Sequence, residues 1–363
     1  MPTNGNAVEL LDDYAGAVQR LVDDIDAAVR EVHLLYYLMH DDATGRAVAE
    51  ALLRAARRGV RCRLLLDAVG AKPGLRAFGG ALRNAGIHVR ATLAGGLAWR
   101  RSARMDLRNH RKIAVIDGRL ALTGSQNLAD PHFVPERPNR EVVARVRGPV
   151  VAQLQALFAS DWYIETGEVL EVDPPPIAPS GTVPAQLLPS GPAYPFENAR
   201  DAFVALVQRA RRRAVLVTPY FVPDEATLGA LRIAALSGVT VQLILSGPNN
   251  QRLTAWAQAG FYDELLAAGV RIALYRPGFL HAKHLSIDED IALVGSSNLD
   301  IRSFMLNAEA GLLCFDPGVV ARLRDIEADY LRQSDPLDAD RWRRRPAWRR
   351  SVEGIARLAD SFL

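Results

Sequence analysis

The sequence predicts a duplicated α/β fold, in which two α/β/α halves pack with pseudo-two-fold symmetry around a single site at the seam. Three observations predict it. A short polar pattern occurs twice at identical spacing, an order of strand, helix, Gly-Val and strand also occurs twice, and a proline-rich segment separates the two copies. At 363 residues, each half is long enough to bury a core of its own.

The first half alternates strands and helices from residue 31 onward. An apolar run over Val32–Met39 predicts a strand, the periodicity of Ala43–Arg58 predicts a helix, and Val60–Leu66 predicts a buried strand. Ala85-Gly86-Ile87 then opens the next strand.

The second half repeats this order. Ala214–Thr218 predicts a strand, Asp224–Leu236 a helix with an acidic N-cap, and Val239–Leu245 another strand after Gly238. Ala268-Gly269-Val270 again opens the following strand. The recurrence indicates an internal duplication.

Each copy of the polar pattern falls on a predicted hairpin. In the first copy, Lys112–Ile116 forms one strand, Asp117-Gly118 forms the turn, and Leu120–Thr123 forms the return strand.

Residues 173–195 contain eight prolines with glycine and serine between them, and this composition predicts a crossing linker rather than a helix or strand. We therefore expect four regions, which are a first half over 1–172, the linker, a second half over 196–335 and a basic amphipathic C-terminal tail over 336–363.

The repeated pattern contains the side chains that chemistry on a phosphodiester requires. Its two copies are offset by 171 residues (281 − 110). Only three of the 44 basic residues are lysines, and two of these lie in the pattern, which indicates a site that needs a compact point charge. The copies are His110-x-Lys112-x4-Asp117-x6-Gly124-Ser125-x-Asn127 and His281-x-Lys283-x4-Asp288-x6-Gly295-Ser296-x-Asn298.

Two histidines can divide a phosphoryl transfer into two easier steps. One imidazole attacks phosphorus and the other protonates the departing oxygen, since an unperturbed imidazole pKa of about 6.5 permits both roles. We expect the side chains of Lys112, Lys283, Asn127 and Asn298 to hold the non-bridging oxygens. The scheme requires no metal and no cofactor.

The carboxylates near the pattern have two expected roles. Asp117 and Asp288 lie at the hairpin turns, where we expect a structural role through bonds to local backbone amides. Glu141 and Glu309 lie 31 and 28 residues beyond the histidine of their own half, and such a carboxylate can fix an imidazole tautomer. From the residues alone, solvated surface glutamates remain an equal alternative.

Composition sets limits on the setting of the protein. No apolar stretch approaches the length of a spanning helix, and the first residues lack the features of a signal peptide, so we expect neither secretion nor membrane spanning. Cys62 and Cys314 lie in apolar runs and predict buried free thiols, which fits a reducing cytoplasm. The net charge of +3 suits an anionic membrane surface as well as nucleic acid.

The paired motifs resemble those of the phospholipase D superfamily, and the flanking sequence is similar to bacterial cardiolipin synthases. The resemblance runs from about Asn6 to the C-terminus and is closer in the second half. The similar stretches are Leu107–Gly118, Thr218–Glu225, Pro277–Lys283 and Gly295–Phe304.

That resemblance implies a duplicated phospholipase D-like fold and metal-free transfer of a phosphatidyl group between two phosphatidylglycerol molecules, which gives cardiolipin and glycerol. It implies that Glu141 and Glu309 orient the histidines, that His110 attacks, and that His281 is the acid and base. We expect a monomer in the cytoplasm, peripheral to the inner leaflet of the cell membrane, and no nucleic-acid partner.

Two departures bear on substrate choice. Many family members begin with transmembrane helices, whereas this chain starts close to the motif region, so we expect it to reach lipid by another route. The tryptophan usually found between the first motif and the acidic residue is absent, with Asn139 in that region, and Asn250-Gln251 replaces an Asp-His pair. A phospholipase D that hydrolyses lipids and a nuclease of the same superfamily remain alternatives.

The C-terminal tail offers a route to the membrane. Arg341–Arg350 interleaves arginines with tryptophans and precedes an amphipathic pattern that includes Val352 and Ile355. This composition suits an interface that contains anionic lipid. An ordinary terminal helix docked on the protein is an equal alternative.

Overall fold

The computed structural model describes residues 1–93, 106–171 and 178–357, and these ranges contain two corresponding series of strands and helices. The first series is β1 (Thr3–Leu11), α1 (Tyr14–Asp26), β2 (Glu31–Tyr36), α2 (Ala43–Arg57), β3 (Arg61–Asp67), α3 (Lys72–Asn84), β4 (His88–Thr92), β5 (Arg108–Asn109), β6 (Lys112–Ile116), β7 (Leu120–Gly124), β8 (Asn139–Arg140), β9 (Val143–Arg147) and α4 (Val150–Thr166).

The second series follows the same order. It is β10 (Val183–Ser190), α5 (Asn198–Arg209), β11 (Arg213–Thr218), β12 (Phe221–Val222), α6 (Glu225–Leu236), β13 (Thr240–Ser246), α7 (Arg252–Ala259), α8 (Tyr262–Ala267), β14 (Arg271–Tyr275), β15 (Phe279–Leu280), β16 (His284–Ile287), β17 (Ile291–Gly295), β18 (Leu299–Asp300), α9 (Ile301–Met305), β19 (Asn307–Cys314), α10 (Pro317–Arg332), β20 (Ser334–Pro336), α11 (Ala339–Arg343) and α12 (Ala347–Arg357).

The sheet of the described residues is symmetric about the contact between β1 and β10. Its strand order is β20-β14-β13-β11-β16-β17-β19-β10-β1-β9-β7-β6-β2-β3-β4, which reads as one series followed by the reverse of its counterpart. Within each half, three parallel strands continue into an antiparallel hairpin, as in β4-β3-β2 followed by β6 and β7. The predicted strands, helices and hairpin turn are confirmed.

One secondary-structure prediction is wrong. The proline-rich segment, expected to lack strand structure, contains β10, which pairs with β1 and with β19. Strand structure is possible there because alternate residues of a strand direct their amides to the same side. Pro189 therefore lies on the same side as Leu187, whose amide donates to Gln153 Oε1 (2.8 Å) rather than to a neighbouring strand. A proline at such a position loses no hydrogen bond between strands. Residues 172–177 of the expected boundary and linker lie outside the described residues.

The two halves share one apolar core beneath the seam. Phe158 and Trp162 of α4 and Leu323 and Tyr330 of α10 are completely buried in it. Burial of such large side chains stabilises each half against the other, at about 1.5–3 kcal/mol for a side chain the size of leucine or phenylalanine. The sheet and its site are therefore held as one unit.

The C-terminal residues dock on the protein as far as they are described. Helix α11 packs on α8 and α12 on α7. Arg345 holds this segment in place, since its guanidinium pairs with both Asp263 and Glu353 at 2.8 Å and stacks over the Trp342 ring. Docking of this segment is thus confirmed over 339–357, and residues 358–363 of the expected tail lie outside the described ranges.

Two expectations about the setting can be compared with the fold. No helix in the described parts of the chain is long and apolar enough to cross a bilayer. Cys62 and Cys314 are buried free thiols, as predicted.

Candidate active site

The carboxyl ends of the parallel strands form the floor of the site. Tyr37 follows β2, Tyr220 follows β11, and Asn250-Gln251 follow β13, and all line one cavity of about 400 Å³. Strand β6 runs antiparallel to β2, with Lys112 opposite Tyr36, so the histidine that precedes β6 lies at this same edge. Ligands of α/β sheets bind at such an edge.

Two short parallel pairings bring the motifs together across the seam. Strand β5 pairs with the start of β19, and β8 pairs with β15. The amide of His110 continues the first pairing by donating to Ala308 O, and that of His281 continues the second by donating to Arg140 O, both at 2.9 Å. Register therefore places each histidine beside the glutamate of the opposite half.

The two histidine–glutamate pairs are consequently crossed. His110 Nδ1 lies 2.9 and 3.0 Å from the two carboxylate oxygens of Glu309, and His281 Nδ1 lies 2.7 Å from Glu141 Oε1. All four side chains are buried. Because Nδ1 is engaged in both rings, Nε2 is the nitrogen that remains for a substrate.

The motif serines bond protein groups rather than facing the cavity, and Ser296 holds one of these carboxylates. Ser296 Oγ donates to Glu309 Oε2 at 2.5 Å, and its counterpart Ser125 bonds the backbone of Val142 while lowering the pKa of the adjacent Glu141. Both serines are completely buried. The serines, expected at the site as part of the motifs, therefore lie one layer behind the histidines.

The two motif lysines are buried beneath the histidines. Lys112 Nζ donates to His110 O and Lys283 Nζ donates to His281 O, both at 2.5 Å. Desolvation by burial lowers the pKa of Lys112 to about 7 and that of Lys283 to about 8, against the opposing attraction of the site glutamates. An arriving anion would favour the charged form of both.

The motif asparagines line the cavity. Asn127 Oδ1 accepts from the Leu38 amide (3.2 Å), and its Nδ2 has no partner among the described residues. Asn298 lies in the corresponding position of the second half. Both are within the cavity that the histidines share, as a contact to a non-bridging oxygen requires.

The motif aspartates lie away from the cavity. Asp117 accepts from the amides of residues 29–31, and Asp288 accepts from those of residues 211–213, so each fixes the start of a central strand. Both have positive φ, 54° and 46°. Since Asp117 lies five residues along the strand from Lys112, about 17 Å at strand geometry, neither aspartate can reach an anion held beside the lysines. A structural role was expected, but its partners are distant in sequence rather than within the hairpin.

The cavity walls beside the two histidines differ. Tyr37 lies against the His110 ring at 4.8 Å, and Arg108 and Arg302 line the same cavity and lower the pKa of Tyr37, which burial raises. At the other end, Phe133 lies against the His281 ring at 5.1 Å. Strict motif symmetry therefore does not extend to the walls.

Sequence reasoning missed a buried arginine that is present in the first motif and absent from the second. Arg111, whose counterpart is Ala282, donates from Nε to Glu309 O (3.1 Å) and from Nη2 to Ser190 O (3.1 Å). Its Nη1 lies 2.5 and 2.6 Å from the Asp161 carboxylate. The His-Arg-Lys and His-Ala-Lys difference was the available signal.

Other cavity residues lay next to the recognised motifs. Arg108 precedes His110 by two residues, and Asp300 and Arg302 follow Asn298 by two and four. Asn307 was missed because only the pairing of β5 with β19 brings it to the cavity.

The charge state of the site follows from burial and the crossed pairs. Burial opposes ionisation of Glu309 and Glu141, but the facing imidazoles and lysines hold the pKa of both below the usual range. Desolvation lowers the histidine pKa values, that of His281 to about 4. Near neutral pH the resting site thus has ionised glutamates and neutral imidazoles. Within the described residues, no group of three or more His, Cys, Asp or Glu side chains is placed to hold a metal ion.

These features define a class of protein, an enzyme in which two histidines from duplicated halves face one phosphodiester. A family model described as "Cardiolipin synthase, PLD-like domain" matches residues 21–162 and 203–329. Cardiolipin synthase A of Yersinia pseudotuberculosis is 39% identical over 97% of this chain and 74% of its own length, and that of Serratia proteamaculans is 38% identical over the same shares. This chain belongs to the cardiolipin synthase family of phospholipase D-like enzymes.

A solved structure supports the fold. The phosphatidylserine synthase of Haemophilus influenzae superposes with a TM-score of 0.77, over 98% of this chain and 95% of that one. At 14% sequence identity, this similarity concerns the fold alone.

Proposed function

We propose that this enzyme transfers a phosphatidyl group from one phosphatidylglycerol to a second, giving cardiolipin and glycerol. The observation that carries the proposal is the pair of buried histidines, each held at Nδ1 by the glutamate of the opposite half and both lining one cavity. The identity with cardiolipin synthase A over nearly the whole chain supports the choice of substrate.

In the first step, the lone pair on His110 Nε2 forms a bond to phosphorus. The bond from phosphorus to the glycerol oxygen breaks, and His281, which takes up a proton at Nε2 when the anionic phosphate binds, gives that proton to the oxygen, which leaves as glycerol. His110 keeps its Nδ1 proton throughout and donates it to the Glu309 carboxylate. His110 is the proposed nucleophile because Ser296 and Arg111 fix its glutamate, whereas Glu141 Oε2 has no partner among the described residues.

In the second step, the hydroxyl of another phosphatidylglycerol gives its proton to His281 and attacks phosphorus. The bond between phosphorus and His110 breaks, so the neutral imidazole is regenerated and cardiolipin leaves. The two lysines and the two motif asparagines would stabilise the charge on the non-bridging oxygens in both steps. The negative charge of the bound phosphate raises the pKa of His281, which allows it to carry the proton.

The cavity walls support a lipid acceptor. A second phosphatidylglycerol brings a phosphate of its own, and the lysines already serve the reacting one. Arg108 and Arg302 supply further guanidinium groups in the same cavity, and the guanidinium fork suits phosphate. Arg108 also pairs with Asp67, and Arg302 donates to Asp106 O.

We further propose that the enzyme acts as a monomer, peripheral to the inner leaflet of the cell membrane. The crossed pairs support the monomer because one chain supplies every reacting group. Both substrates in the proposed reaction are anionic lipids, and the positive net charge favours their surface.

The test is product analysis after incubation of purified protein with phosphatidylglycerol vesicles and no added metal. Cardiolipin and glycerol in equal amounts are expected. Phosphatidic acid as the main product would replace the proposal with hydrolysis, and activity restricted to nucleic acid would overturn it. The variants His110→Ala and His281→Ala provide the controls, since either should abolish turnover.

A further inference from the structure

Helix α7 has one face toward the protein and one toward solvent. Thr254, Ala257 and Gln258 are buried. Leu253 and Trp256 on the opposite face are each 45% exposed. Large apolar side chains at i and i+3 form a continuous patch on a helix surface.

This helix begins at the rim of the active-site cavity. Asn250, Gln251 and Thr254 line the cavity, so the exposed Leu253 lies in sequence between two residues that line it. The apolar patch is therefore adjacent to the entrance that a lipid head group must pass.

Two arginines lie on the surfaces of α7 and of the helix that packs against it. Arg252 at the start of α7 is exposed. Helix α12, which packs against α7, bears Trp348, 64% exposed, with the Arg349 guanidinium 5.5 Å from its ring centre. Arginine beside tryptophan and leucine on a helix surface is the composition of an interfacial membrane contact.

We propose that the outer face of α7 (Arg252, Leu253 and Trp256), extended by Trp348 and Arg349 of α12, docks the enzyme on an anionic lipid surface with the cavity entrance toward the bilayer. The inference rests on the proposed function. A substrate with two acyl chains remains largely in the bilayer, so the surface beside the entrance must meet lipid head groups.

The chemistry of the face favours a lipid surface over a protein partner. Its apolar residues are few and interleaved with arginines. The apolar side chains can insert shallowly into the bilayer while the guanidinium groups remain among the lipid phosphates. The ion pairs of Arg345 with Asp263 and Glu353 fix α12 beside α8. The C-terminal helix thus contributes to membrane binding as a docked element rather than as a free tail.

The test compares two double variants of the full chain by co-sedimentation with phosphatidylglycerol vesicles. The first is Leu253→Ser with Trp256→Ser on α7. The matched control is Ile233→Ser with Leu236→Ser on α6, where the side chains are 56% and 69% exposed but away from the cavity lining. We expect about a tenfold or greater loss of vesicle binding for the α7 variant and no change for the control.

Two further measurements separate docking from chemistry. On short-chain phosphatidylglycerol below its aggregation concentration, the α7 variant should retain wild-type kcat/KM while losing activity on vesicles. Arg252→Gln with Arg349→Gln should weaken binding to phosphatidylglycerol vesicles more than to phosphatidylcholine vesicles.

Equal vesicle binding by the α7 variant and the wild type would overturn the docking face, as would an equal loss in the α6 control. Failure of the proposed function would look different. The wild type would then form no cardiolipin from either the short-chain or the vesicle substrate, whatever its vesicle binding.

Discussion

At the scale of single residues, burial determines the chemistry of the site. The lysine ammonium groups lose most of their hydration, so the pKa of Lys112 falls to about 7 and that of Lys283 to about 8. Burial also lowers the pKa of His281 to about 4 and lowers that of His110. The free enzyme thus has a neutral nucleophile at neutral pH, and His281 takes up its proton when the anionic substrate binds.

A pH profile follows from these values. As pH rises through 7 to 8, the lysines lose their protons and the site loses positive charge, so kcat/KM for a phosphodiester should fall across that interval. Toward acid pH, activity should persist below 6.5, because burial lowers the pKa of the attacking His110, and should decline only as that imidazole protonates. Steady-state rates from pH 4 to 10 on a monomeric short-chain substrate check this.

The position of the alkaline limb decides the outcome. A limb near pH 10 would show that the lysines keep their ordinary pKa and would contradict the desolvation argument. A stability control at each pH separates titration of the site from unfolding.

At the scale of elements, the sequence predicted what depends on local pattern. Strands β2, β3, β11 and β13 follow from apolar runs, and the turn at residue 117 follows from Asp-Gly. Strand β10 was not predictable in this way, because proline composition disfavours a strand and only the bond from Leu187 to Gln153 shows why it is tolerated.

The crossed glutamates were beyond the reach of pattern for a similar reason. The spacing identified Glu141 and Glu309 but not their partners. Those partners are set by the two-residue pairings of β5 with β19 and of β8 with β15, which are long-range contacts with no local signature. Motif residues are thus more predictable than the geometry that joins them.

Arg111 provides a prediction at this scale because it links β6, β10, β19 and α4. Arg111→Met should leave the buried Asp161 carboxylate without its cation and reduce the free energy of unfolding by about 3–5 kcal/mol. It should also lower kcat, since the Glu309 carbonyl loses its donor. Urea unfolding and initial rates measure the two effects.

A second variant distinguishes positioning from stability. Arg111→Met combined with Asp161→Leu removes both charges and should recover most of the stability. Its kcat should stay low, because the backbone carbonyl of Glu309 still lacks its donor. Recovery of both quantities together would mean that Arg111 only stabilises the fold.

At the scale of the whole molecule, the duplication produces one site rather than two. Each half contributes a histidine to one pair and a glutamate to the other, so neither half contains a complete unit. The shared core beneath α4 and α10 and the central contact of β1 with β10 hold the two contributions in register.

A phosphodiester with a p-nitrophenyl leaving group tests how the roles divide. That leaving group departs without a proton, so the first step needs the nucleophile but not the acid. His281→Ala and Glu141→Gln should therefore still release a burst of p-nitrophenol, equal to about one per enzyme, while cardiolipin formation falls at least 100-fold. His110→Ala and Glu309→Gln should lose the burst as well, because Glu309 fixes the attacking imidazole.

The variants should thus group by crossed pair, and grouping by half, with His110 and Glu141 together, would contradict the structure. If instead the pair of His281 and Glu141 were required for the burst, the pairs would stand and the nucleophile would be His281.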